Sequence, residues 1–193
     1  SVSPQPIQLP HPPLYMACTK DDTVRLAAEY GLGALVLGFS GPSQVSELKK
    51  IYDDAIASRS NKNCISKTPI NFLSALCPTV VLNDAEEAFQ IGARGQKFFA
   101  ESIQHWNIGT PLPEHVPSDI DIRDAIDDAK ERVEAFMTKG GHPLPSVVAS
   151  TEPFNINHAY GDSDDAIRYV KELEKAGADE IMCLIQMGGV PHE

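Results

Sequence analysis

Basic charge is scarce in this chain: 16 lysines and arginines stand against 27 aspartates and glutamates, a net charge of -11. Without a basic stripe to neutralise phosphates, neither nucleic acid nor an anionic membrane surface is an expected partner. The acidic residues are spread over helices rather than gathered in a block, and pairs such as Asp53 and Asp54, Glu86 and Glu87, or Asp127 and Asp128 read as solvated faces. No apolar run reaches the ~18 residues of a membrane span. The opening SVSPQPIQLPHPP has neither the basic nor the apolar region of a signal peptide. The four cysteines, Cys18, Cys64, Cys77 and Cys183, show no CxxC spacing. Three of them lie in apolar runs where a thiol serves as a small buried hydrophobe, which points to a reducing, cytoplasmic setting. His11, His105, His115, His142 and His158 have no ligand spacing, so no metal site is expected.

What the chain does have is a complete strand, helix and strand over residues 10–39, PHPPLYMACTKDDTVRLAAEYGLGALVLGF. An apolar run over 14–18 reads as a strand, 21–30 has helical spacing closed by Gly31, and 34–39 is a second apolar run. Strands apolar on both faces belong to parallel sheets covered by helices. Ligands in such sheets bind beyond the carboxyl ends of the strands, which puts Cys18, Thr19, Lys20 and Thr23 at the expected site.

The five prolines of residues 1–13 predict an extended lead-in. Pro42 suits a first helical turn, and Val45, Leu48, Tyr52, Ala55 and Ile56 share one face of the helix after it. A polar loop over 58–69 leads to a third strand over 72–81, where Pro78 predicts a strand end or bulge. Asn83 or Asp84 caps a long helix running towards His105. From 106 to about 160 the rhythm changes, and this segment reads as an insertion. It holds one amphipathic helix, with Ile122, Ala125, Ile126, Ala129, Val133 and Phe136 on its apolar stripe. A helix starting at Asp162 or Ser163 and stopped by Gly177 then leads to a fourth strand over 180–187.

Without an insertion of roughly 55 residues the remainder is enough for about four βα units of ~30 residues each, whereas a closed (β/α)8 barrel typically takes ~250. The predicted fold is therefore α/β, a partial (β/α)8 (TIM) barrel with a helical insertion, filling residues 1–193 as one half. Such a half leaves unpaired parallel edges and apolar faces that another chain or segment must cover.

Residues 10–39 resemble the strand 5 to strand 6 region of the luciferase-like flavin-dependent monooxygenases, and YGDSDDAIRYVKELEKAGADEIMCLIQMGGVPHE resembles that family's late helix and strand 8. The resemblance implies the carboxyl-terminal half of that family's barrel. It further implies binding of reduced FMN or, in one branch, coenzyme F420, and use of dioxygen to oxygenate a small organic substrate. The protein would hold the isoalloxazine and keep water from it, the redox chemistry being the cofactor's. The expected partner is the amino-terminal half of the same barrel or a second copy of the chain, and the catalytic residues are expected in the missing half.

Carried over by position, Thr19, Lys20 and Thr23 match the turn where relatives hold the flavin phosphate, with Cys18 just before it. Free N–H groups at a helix start, hydroxyls and an ammonium suit a phosphate. The same residues also make sense as a plain capping box between Thr19 and Asp22. Asp21 and Asp22 compete with an anion there. Cys18 reads as packing rather than as a nucleophile, since no histidine is near it in sequence. Phe39, at the end of the second strand with Ser40, suits either a flavin or substrate contact or the core. Gly188 and Gly189 permit close backbone approach to a ligand, and His192 suits an acid or base or a surface position. Two other readings fit the same residues: a non-catalytic flavin-binding or self-pairing half-barrel module, and another phosphate-binding barrel enzyme.

Overall fold

The computed structural model describes residues 7–39, 41–60, 62–140 and 155–190. Ser40, His142 and His192 lie outside the described residues, as do the side chains of Val133 and Phe136 and the first six residues of the lead-in. In chain order the elements are β1 (Tyr15–Cys18), α1 (Asp21–Tyr30), β2 (Gly33–Val36), α2 (Pro42–Ser58), β3 (Leu73–Val81), α3 (Ala85–Ile108), α4 (Ile122–Gly140), β4 (Ala159–Gly161), α5 (Ser163–Lys175) and β5 (Glu180–Leu184). They divide between two compact units, one formed by Ser1–Gly38, Pro42–Leu76 and Leu173–Met182, the other by Phe39–Gly41, Cys77–Glu172 and Cys183–Glu193.

In the first unit β1, β2 and the start of β3 run parallel, with Tyr15 opposite Gly33, Cys18 opposite Val36, and Ala34 opposite Leu73. Side chains alternate across a strand, so Cys18, Ala34, Val36, Leu73 and Ala75 share one face, and all are buried. Val24, Ala27 and Ala28 of α1 and Val45, Tyr52 and Ala55 of α2 complete that core. The Tyr52 hydroxyl donates to the Leu32 carbonyl at 2.6 Å, tying α2 to the entry of β2. Gly31 ends α1 at φ 74, and its N–H reaches the Ala27 and Ala28 carbonyls. A side chain there would also strike Cys64 Sγ, so glycine is required twice over. His11 holds the lead-in: its Nε2 accepts the Lys67 N–H at 3.2 Å.

Three expectations need correction. The second strand stops at Val36 rather than Phe39, because Gly38 adopts φ 64 against the Leu76 carbonyl and turns the chain away from the ladder. Pro78 does not end the third strand. It falls between the residues that pair with β2 (Leu73–Ala75) and those that pair with β4 (Thr79–Val81), where no ladder N–H is asked of it. Among the described residues the strands number five rather than four, since Ala159–Gly161, assigned to the insertion, is a strand parallel to β3. In addition, β5 stops at Leu184 and pairs with β3, whereas successive barrel order would put it beside β4.

In the second unit Asp84 caps α3, its Oδ1 accepting the N–H groups of Glu86 and Glu87 at 3.0 Å each. The apolar stripe of α4 finds its surface on α3: Ala93, Ala100, Ile122, Ile126 and Ala129 form one buried cluster, flanked by Phe89, Val116 and Ile156. Lys97, 2% exposed, pairs with Glu101 at 2.8 Å inside α3, and Arg132 of α4 reaches the same carboxylate at 3.3 Å. No helix among the described residues is long and apolar enough to cross a membrane.

Candidate functional site

The turn between β1 and α1 gathers Cys18, Thr19, Lys20 and Thr23 in the first unit. Cys18 is 3% exposed, and its thiol lies 3.2 Å from the Met16 carbonyl and 3.4 Å from that of Thr23. Burial pushes this thiol up from its ordinary value, which keeps it protonated and poorly nucleophilic. The expected pairing of Thr19 with Asp22 is not how the helix is capped. Lys20 is the N-cap residue, and the Thr23 hydroxyl donates to its carbonyl at 2.7 Å while accepting its N–H at 3.2 Å. Helix α1 starts one residue later than a Thr19 cap requires, and Asp22 turns instead to Arg25 at 3.3 Å.

With no side chain accepting the first-turn N–H groups of α1, those of Asp21 and Asp22 are available to an anion beside the exposed Lys20. The donor set therefore fits a phosphate. The two carboxylates of the same turn oppose it, and Thr23 is already occupied by capping.

The other described candidates, Phe39, Gly188 and Gly189, belong to the second unit. Phe39 packs edge-on to Phe99 at 5.4 Å between ring centres and faces His158 at 6.4 Å. The freedom of Gly188, at φ 57, serves packing: a side chain there would strike Gly95 and Phe98 of α3, and one at Gly189 would meet His115. Cys183, expected inside an apolar core, is exposed on β5. Among the described residues no cluster of three or more histidine, cysteine, aspartate or glutamate side chains could hold a metal ion.

A feature that spacing did not show surrounds His158. It is 6% exposed, its Nδ1 lies 3.0 Å from the Tyr169 hydroxyl, and Tyr160 and Tyr169 both pack edge-on to it at 5.6 Å. Burial lowers its pKa to about 4, with the Asn155 backbone acting weakly the other way, so the ring is neutral. Burial likewise raises the Tyr169 phenol well above its ordinary value. These rings wall one side of a cavity of about 570 Å³, whose rim carries the ion pairs Glu86–Arg123 (2.8 Å) and Asp165–Arg168 (2.7 Å). The only advance signal was position, a histidine and a tyrosine two residues apart and therefore on one strand face.

No family model matches the chain, and no curated protein matches it. Solved structures do. The chain aligns over 97% of its length with 48% of apo-MsnO8 (18% identity, TM-score 0.58). It aligns over 98% with 45% of the monooxygenase RslO1 from Streptomyces bottropensis (16%, 0.53). It aligns over 88% with 44% of the coenzyme F420 dependent tetrahydromethanopterin reductase from Methanopyrus kandleri (18%, 0.50). The chain spans about half the length of each, and what it shares with them is the fold of that half.

Proposed function

We propose that this chain is the carboxyl-terminal half of a luciferase-like, flavin-dependent monooxygenase that uses reduced FMN and dioxygen to oxygenate a small organic substrate, with F420 as the alternative cofactor. The observation that carries the reading is the alignment of nearly the whole chain with slightly less than half of a monooxygenase, RslO1. The β1–α1 turn supports it independently. In this reading the Asp21 and Asp22 N–H groups and the Lys20 ammonium hold the cofactor phosphate, with Thr19 at the edge of the turn and Thr23 keeping the helix start in shape. The bound flavin supplies the redox chemistry. Phe39, Gly188, Gly189 and His192 are proposed for the substrate side. The uncovered sheet face described next favours an incomplete barrel over a free-standing module.

FMN titration, followed by quenching of flavin fluorescence, tests the turn. Lys20→Ala weakens binding by about tenfold or less, the scale of one exposed charge contact, while Asp22→Asn strengthens it severalfold by removing a repulsive carboxylate. Absence of saturable FMN binding, or indifference to both substitutions, rejects the flavin assignment. Dioxygen uptake with reduced FMN and appearance of an oxygenated product, measured on a chain that includes the amino-terminal half, separates an oxygenase from a flavin holder.

A further inference from the structure

One face of the first unit's sheet is covered by α1 and α2, and among the described residues nothing covers the other. Tyr15, Leu35, Leu76 and Met182 alternate onto that open face, and Tyr15 and Met182 remain 39% and 42% exposed. Parallel sheets are stable when both faces are covered, so this surface is a contact surface.

Its polarity is concentrated at one place. The fully buried Ser74 hydroxyl donates to the Glu180 carboxylate, and Tyr15 stands beside both, its phenol pushed up by burial first and by the charge of Glu180 next. The neighbouring Asp179 is held by Lys49 at 3.7 Å and accepts the Leu73 N–H at 2.9 Å. Glu180 has no ion pair among the described residues, and β1, β2, β3 and β5 contain no lysine or arginine. Glu180 is exposed on the open face, but a layer closing that face would shut its carboxylate away from water with only a hydroxyl donor, which is costly unless a cation joins it.

We propose that Glu180 selects what closes this face, admitting strands that bring a lysine or arginine to its carboxylate and rejecting a second copy of this chain. The occupant is the remaining set of strands of the same barrel, bearing a basic side chain opposite Glu180. This rests on the half-barrel reading above, and the span of 48% of apo-MsnO8 leaves room for such strands. Two copies face to face would enclose two uncompensated carboxylates, so the same residue guards the half against self-pairing, the use natural sheets make of inward-pointing charge.

A charge-swapped copy serves as the probe, because Glu180→Lys presents the same apolar face with a lysine where the carboxylate was. Sedimentation velocity compares wild type, Glu180→Lys, Glu180→Gln and the equimolar mixture of wild type with Glu180→Lys, each first shown by circular dichroism to keep wild-type helix content. The mixture is expected to associate about tenfold or more tightly than either component alone, and less tightly in high salt. Glu180→Gln is expected to self-associate more tightly than wild type. Wild type that pairs with itself as tightly as the mixture, or a Glu180→Gln variant no different from wild type, overturns the proposal. FMN titration of the same samples reads the flavin assignment separately, since the β1–α1 turn lies at the strand ends and not on this face.

Discussion

His158 is the residue whose ionisation the fold opposes most clearly. Burial holds the ring neutral with a pKa of about 4, while an exposed histidine takes up its proton near 6.5. Between those values the unfolded chain binds a proton that the folded chain refuses, so stability is full above about pH 6.5 and falls as pH drops towards 4. One group with that depression removes about 3 kcal/mol by the lower limit. His158→Phe keeps an aromatic ring among Phe39, Tyr160 and Tyr169 but strips the Tyr169 hydroxyl of its partner, costing about 1 kcal/mol at pH 7.5. Urea denaturation across pH is therefore expected to show two crossing curves, with wild type the more stable at neutral pH and the variant the more stable near pH 4. Parallel curves would mean that the ring reaches water. Tyr52 offers a simpler case in the first unit. Burial raises its phenol to about 12, and its hydroxyl satisfies the buried Leu32 carbonyl. Tyr52→Phe leaves that carbonyl unpaired and is expected to cost about 1–2 kcal/mol in the same assay, with no change in slope against pH below 9.

At the scale of elements, Gly92 shows how α3 and β4 are fitted together. A side chain added there would run into the ring of Tyr160, which is itself fixed by a 3.4 Å hydrogen bond to Gln96 one turn further along α3. In an isolated helix alanine is preferred to glycine by about 1 kcal/mol, whereas forcing a methyl into a filled core costs roughly 1–3 kcal/mol. Overpacking outweighs propensity at this site. Gly92→Ala is expected to destabilise by about 1 kcal/mol net, measured by chemical denaturation, although it is conservative on paper. Which elements were readable follows from the same balance of local and distant forces. The bounds of α1 could be read from the sequence because its period and its Gly31 stop lie within eleven consecutive residues, although its cap residue could not. The stripe of α4 could be read too, although its partner surface on α3 could not. Strand β4 was missed since three residues carry no period, and its identity comes from pairing with Thr79–Val81 some eighty positions away. The end of β2 was overrun because Leu37 and Phe39 prolong the apolar run past the point where Gly38 leaves the ladder. The candidate site divides the same way. The β1–α1 turn is contiguous, so its place between a strand and a helix is legible, whereas the cluster of Phe39, Phe99, His158 and Tyr169 is assembled from four separate segments with no spacing to betray it.

At the scale of the whole molecule the central fact is an apolar sheet surface without cover among the described residues, in a chain that spans half the length of its structural neighbours. Met182, Cys183 and Ile185, apolar residues in and just after β5, are all exposed. Whether Met182 faces water or a hidden layer can be decided by one substitution. If it were packed, Met182→Glu would place a charge in a core and cost at least the 2–5 kcal/mol of a large buried deletion. On an open face the change is expected to leave stability within about 0.5 kcal/mol of wild type, the range of ordinary surface substitutions. It should at the same time lower the emission of a neutral hydrophobic dye such as Nile red bound to the folded chain, because it breaks the apolar patch. A neutral dye is needed since a net charge of -11 would repel an anionic one. Unchanged stability with reduced dye binding identifies the face as open and sticky in the isolated chain. A loss of several kcal/mol would place a covering layer over β5 and remove the ground for a missing half.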